Sequence, residues 1–142
     1  MNMKIPTRQL FTVGEMLLIA AAVLGCGSGA PFEYVPISGK VVYEDGSPVT
    51  AGKVHFVSDA PAKDGMHPRT ATAYINSDGT FDSVTSYKPG DGLIPGKHKV
   101  AIMFATDLNG KSLVPKKYES MVTSPLVIDT ADAPLLIKIP KP

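Results

Sequence analysis

The chain has one cysteine, Cys26. A single thiol excludes an intramolecular disulfide, so the fold has to be held by its own apolar core. Charge of one sign is also lacking: outside residues 1–25 there are 12 basic and 12 acidic residues, and no run of like charge. That balance excludes the basic stripe a nucleic acid or acidic polymer would require, and no nucleic-acid partner is expected. No apolar run approaches the ~20 residues of a membrane-spanning helix. Motifs that mark chemistry are missing too. There is no Gly-x-Ser-x-Gly elbow and no Ser-x-x-Lys pair to raise a nucleophile. The one glycine-rich candidate, Gly90-Asp91-Gly92, precedes a strand-like run where a phosphate site would place a helix.

What is present begins at the N-terminus. Lys4 and Arg8 precede nine apolar residues, Met16 to Leu24, closed by the small Gly25. A basic start, a short apolar stretch and a small residue before a cut are the parts of a cleavable secretory signal. The segment Val23-Leu24-Gly25-Cys26 resembles the lipobox of bacterial lipoproteins. The resemblance implies cleavage before Cys26, a thioether-linked diacylglycerol on its thiol, and a further palmitate-type acyl chain on the new amine. It therefore implies a membrane partner through a lipid anchor, and a place in the cell envelope facing the periplasm or cell surface, the outer membrane favoured. The other reading of a lone cysteine is a buried, inert thiol. That reading leaves the basic start and the Gly-Ser-Gly-Ala run after Cys26 unexplained.

Three segments follow: a signal peptide at 1–25, a flexible tether at 26–36, and one domain at 37–142. Removing the signal leaves 117 residues, enough to bury roughly two-thirds of the unfolded surface without staples. Thirteen glycines and thirteen prolines punctuate short apolar runs, a pattern of turns between strands. Alternation marks strands at Ile37–Tyr43, Lys53–Ser58, Thr70–Ile75, Thr80–Ser86, His98–Phe104, Pro125–Asp129 and Leu135–Ile139. Asn76-Ser77-Asp78-Gly79 reads as the turn of a hairpin joining the third and fourth. In the fifth, His98, Val100, Ile102 and Phe104 share one side, and a core of Tyr43, Val54, Phe56, Val100, Ile102 and Phe104 is expected. The connection 105–123 exceeds ordinary loop length, with one helical turn expected after Pro115.

The run from Ile37 to Phe56, containing Glu44-Asp45-Gly46-Ser47-Pro48, resembles the opening of carboxypeptidase-regulatory-like and transthyretin-like domains. Asn76-Ser77-Asp78-Gly79-Thr80-Phe81 and Pro95-Gly96-Lys97-His98-Lys99-Val100 resemble later parts of that pattern, with His98 where the family has tyrosine. Val114-Pro115-Lys116-Lys117-Tyr118 is similar to the small lipoproteins of this type in planctomycete bacteria. The resemblance implies an all-β fold: a seven-stranded prealbumin-type Greek-key sandwich. It implies no chemistry, because a fold alone does not carry one.

Candidate sites are few. His55, His67 and His98 have no metal-ligand spacing. Asn76, Asp78 and Asp82 crowd a turn that needs them for conformation, and no bidentate glutamate follows as in a calcium loop. Some transthyretin-like domains are hydroxyisourate hydrolases with a C-terminal Tyr-Arg-Gly-Ser; this chain ends Ile139-Pro140-Lys141-Pro142, and Arg69 is its only arginine beyond the signal. Phe32, Tyr34, Tyr87 and Tyr118 fall in loops or tether, either capping the core or stacking on a ligand. The expectation is a non-enzymatic envelope protein with a binding or structural role. Its expected partner is an envelope protein or a glycan, with no cofactor, metal or catalytic residue and lipid attachment at Cys26. A carbohydrate-binding accessory domain is the alternative, and a hydrolase the third reading.

Overall fold

The computed structural model describes residues 29–142. The signal segment 1–25, Cys26 and the start of the expected tether lie outside the described residues. Among the described residues are seven strands: β1 (Gly39–Tyr43), β2 (Lys53–Ser58), β3 (Ala71–Tyr74), β4 (Thr80–Phe81), β5 (Lys97–Met103), β6 (Leu126–Asp129) and β7 (Leu135–Ile139). They form two sheets, ordered β4-β1-β7 and β3-β2-β5-β6. Every pairing is antiparallel except β1 with β7.

Alternation explains which residues face inward. In β2, Val54 and Phe56 are wholly buried while Lys53 and His55 take the other face. In β7, Leu135, Ile137 and Ile139 are buried and Leu136 and Lys138 exposed. The inner faces meet in one core, where the Phe56 and Phe81 ring centroids lie 5.9 Å apart across the two sheets. Burial of each such ring contributes about 1.5–3 kcal/mol.

The connection 105–123 belongs to this core. Ala105, Val114 and Tyr118 are buried in it, and the Tyr43 hydroxyl donates to the Leu113 carbonyl at 2.6 Å. A single 3-10 turn, Lys116–Glu119, follows Pro115 as expected.

Two expectations are corrected. The turn at Asn76–Gly79 is present and the chain after it returns to β3, where Thr72 and Thr85 exchange backbone hydrogen bonds of 2.9 Å, but the fourth strand is only Thr80–Phe81, and that part pairs with β1. The Asn76 amide donates to the Thr80 carbonyl at 2.8 Å, and the Val41 amide donates to the Gly79 carbonyl at 2.8 Å, which draws β4 onto β1. Phe81 is thereby buried between the sheets.

The second correction is Phe104, which lies outside the core at 77% exposure. Its backbone is left-handed, φ +58°, so the alternation of β5 breaks there and Ala105 takes the inward place. Ala105 fits because Gly52 packs against it: a Cβ on Gly52 would lie 2.8 Å from that of Ala105.

Strand direction gives the sandwich two ends. The chain enters at Gly39, beside Phe81 and Leu135, and Ser58, Lys97 and Asp129 lie toward the same end. The far end holds Tyr43, the Lys53–Tyr74–Met103 row and the loop after Phe104.

Candidate binding groove

On the outer face of the four-stranded sheet, at its far end, Lys53 sits in register between Tyr74 of β3 and Met103 of β5. Inward-facing Val54 forces Lys53 outward, and inward-facing Ala73 does the same for Tyr74. The Lys53 ammonium lies 4.6 Å from the Tyr74 ring centroid, a cation–π contact that holds both side chains. Tyr74 is 73% exposed. Phe104 stands across from it, and Gly52, Lys53, Tyr74 and Phe104 line an open groove of about 470 Å³. A second hollow of about 320 Å³ adjoins it, lined by Met103, Phe104, Ala105, Thr106 and Glu119. Phe104 is the ridge between the two.

The backbone at Phe104 is unusual for its residue type. Asp64 and Ser83 also have positive φ, but short polar side chains adopt that region with little penalty. A bulky ring there costs about 1–2 kcal/mol, and such strain clusters at functional sites. The ring itself makes no core contact in return; the inward packing of Ala105 is what the turn gains.

His55, on the same outer face as Lys53, has its ring centroid 6.4 Å from that of Phe104. Its Nε2 is shielded and meets no hydrogen-bonding group of the described residues. Burial, and then the charge of Lys53, lower its pKa, so it stands neutral at neutral pH. His98 is on the opposite face of the same sheet, buried edge-on to Phe56 at 6.5 Å, with Nδ1 3.2 Å from the Gly96 carbonyl. Burial lowers its pKa as well, partly opposed by that carbonyl and by Asp59 and Asp129. His67 is exposed in the loop 59–69. The three histidines are thus placed apart: two on opposite faces and one in a loop.

Asp78 is engaged by its own turn, accepting from the Thr80 amide at 3.0 Å and from the Thr80 hydroxyl, which lowers its pKa. The Asn76 amide donates to Thr80 at 3.2 Å, and Asp82 is exposed. Among the described residues no three His, Cys, Asp or Glu side chains are grouped to hold a metal ion. Another hollow of about 470 Å³ lies across β4, β1 and β7, lined by Lys40, Asp82 and Leu136 among others. It has no exposed aromatic ring.

The aromatics that stood out in the sequence do not converge. Tyr118 is buried in the core, Tyr87 is covered by the Arg69 guanidinium at 4.8 Å, and Phe32 and Tyr34 are half-buried. The exposed pair is instead Tyr74 and Phe104, thirty residues apart. For Tyr74 the signal was present: Ala71, Ala73 and Ile75 are the apolar partners of an alternation that leaves Tyr74 outside. For Phe104 there was none, since its parity matches Val100 and Ile102. The chain matches no protein-family model, no curated protein and no solved structure.

Proposed function

We propose that the protein is an exported lipoprotein, anchored through acylated Cys26, whose prealbumin-type Greek-key sandwich is a non-catalytic binding module of the cell envelope. The sheet orders β4-β1-β7 and β3-β2-β5-β6 support the Greek-key reading, since the chain changes sheets between β1 and β2, β3 and β4, β4 and β5, and β6 and β7. The basic start, apolar run and Val23-Leu24-Gly25-Cys26 support the anchor.

One observation carries the binding role: Phe104 is held outside by a strained backbone, opposite Tyr74, with Lys53 between them. The same lining favours a glycan as the ligand. Exposed ring faces match the C–H faces of pyranoses, and an ammonium between them donates to sugar hydroxyls. A wholly apolar occupant would strip water from Lys53 without a partner, which is unfavourable. The groove's size and openness admit a sugar chain passing through it.

The test is co-sedimentation of the detergent-solubilised full-length protein with insoluble envelope and plant polysaccharides. Loss of one ring stack at about 0.5–1.5 kcal/mol predicts roughly two- to twelvefold weaker binding for Tyr74→Ala and for Phe104→Gly. Retention by no polysaccharide, or equal retention of both variants, overturns the glycan reading.

A further inference from the structure

The described part of the tether is fastened to the sandwich at Val35, four residues before β1, whose start lies at the end remote from the groove. Val35 and Leu93 exchange backbone hydrogen bonds of 2.8 and 3.0 Å. Gly92 makes this approach possible, because a Cβ there would lie 1.8 Å from the Val35 carbonyl oxygen. Leu93 lies four residues before β5 begins, and Phe104 is the residue after β5 ends. The seven residues of β5, about 20 Å long at the rise of a strand, lie between the entry end and Phe104.

The anchor's leash is short. Between Cys26 and Tyr34 there are eight peptide steps, which reach at most ~30 Å when fully extended. For the groove to touch the bilayer that holds the lipid, this leash would have to run back along the whole sandwich. That takes about two-thirds of its contour length and pulls the half-buried Phe32 and Tyr34 off the sandwich. With the entry end toward the membrane, Phe32 and Tyr34 stay half-buried.

We infer that the groove faces away from the bilayer to which the chain is anchored, and that its ligand is a polymeric glycan standing off that membrane, not a glycolipid headgroup within it. The inference rests on the proposed Cys26 anchor. Leash and strand together bring Phe104 to within about 50 Å of the bilayer surface, and the polymer lies inside that range. Tyr74, Lys53 and Phe104 therefore act as the outward end of a strut whose inward end is the tether.

The experiment uses the acylated full-length chain in vesicles carrying an acceptor dye at the bilayer surface. Acylation consumes the native thiol, so an introduced cysteine labels uniquely. Lys63→Cys places a donor in the exposed loop between β2 and β3, at the tether end. Leu108→Cys places one on a fully exposed tip beyond Phe104. Energy transfer is expected to be several-fold more efficient from position 63 than from position 108. Equal transfer, or stronger transfer from 108, overturns the orientation. Inserting about 20 Gly/Ser residues after Gly29 is expected to abolish the difference, since that coil adds ~25 Å of mean reach. A difference that survives the insertion refutes the leash as its cause. Intact mass distinguishes the two readings: an unmodified Cys26 with no vesicle association removes the anchor, and the orientation with it. Vesicles bearing the lipoprotein are expected to be captured by immobilised glycan polymer. Binding only to glycolipid in the same leaflet overturns the inference.

Discussion

Phe104→Gly separates strain from packing. Glycine adopts φ +58° without penalty, whereas an L side chain in that region costs about 1–2 kcal/mol. Against this relief stand two losses. The ring is 77% exposed, so roughly 50 Å² of apolar surface leaves its contacts, about 1 kcal/mol. Glycine also has a more disordered unfolded state, worth about 0.5–1 kcal/mol. These terms nearly cancel, and the expected change in unfolding free energy is within about 1 kcal/mol of zero. Phe104→Ala is the control: it loses the same ring but keeps a Cβ at positive φ, and should be about 1 kcal/mol less stable than Phe104→Gly. Urea unfolding read by far-ultraviolet circular dichroism measures both, and the chain has no tryptophan to report instead. Glycan binding falls in both variants. If the alanine variant equals or exceeds the glycine variant in stability, the backbone strain is not real. If Phe104→Gly costs 3 kcal/mol or more, as a core truncation would, the ring is structural and the groove argument fails.

Phe56→Ala, at a wholly buried position, should cost about 3–5 kcal/mol by the same urea assay, and a loss under 1 kcal/mol would contradict the core described above. His55 and His98 both have folded pKa values below that of the unfolded chain, so the unfolded state binds more protons as pH falls below about 6.5. Stability is therefore complete above that pH and declines toward the folded pKa values. The urea midpoint at pH 5 should lie below that at pH 7.5, and a midpoint unchanged over this interval would refute the burial of neutral imidazoles. Gly92→Ala should detach Val35 from Leu93, since the added Cβ meets the Val35 carbonyl and φ is +98°. Faster amide exchange at Val35 and Leu93 is the readout, and unchanged protection would show that the tether is held elsewhere.

Local pattern carried much of the architecture. β2 and β7 fall on the runs that alternation marks, because glycine and proline bound them and a two-residue period has only one buried face to offer. The all-β class followed from the same cause. So did the 3-10 turn after Pro115, where a preset φ starts a helical turn. Tyr74 was legible as an outward residue for the same reason as Lys53.

Pairing partners were legible only in part: Thr72 meets Thr85 as the turn suggests. Asn76–Gly79 specifies a reversal of direction, but burial of Phe81 against Phe56 assigned β4 to the opposite sheet. Phe104 was not legible: its parity belongs to the core, and its exposure comes from one left-handed backbone angle. That angle goes with Gly52 admitting Ala105, a residue fifty-three positions away along the chain. Charge balance, the absence of a disulfide and the run before Cys26 are properties of the chain, readable because composition and local periodicity need no neighbours. The meeting of Tyr74, Lys53 and Phe104, and their distance from the tether, were decided only when two sheets closed on a shared core, because contacts between distant segments depend on what each buries against the other.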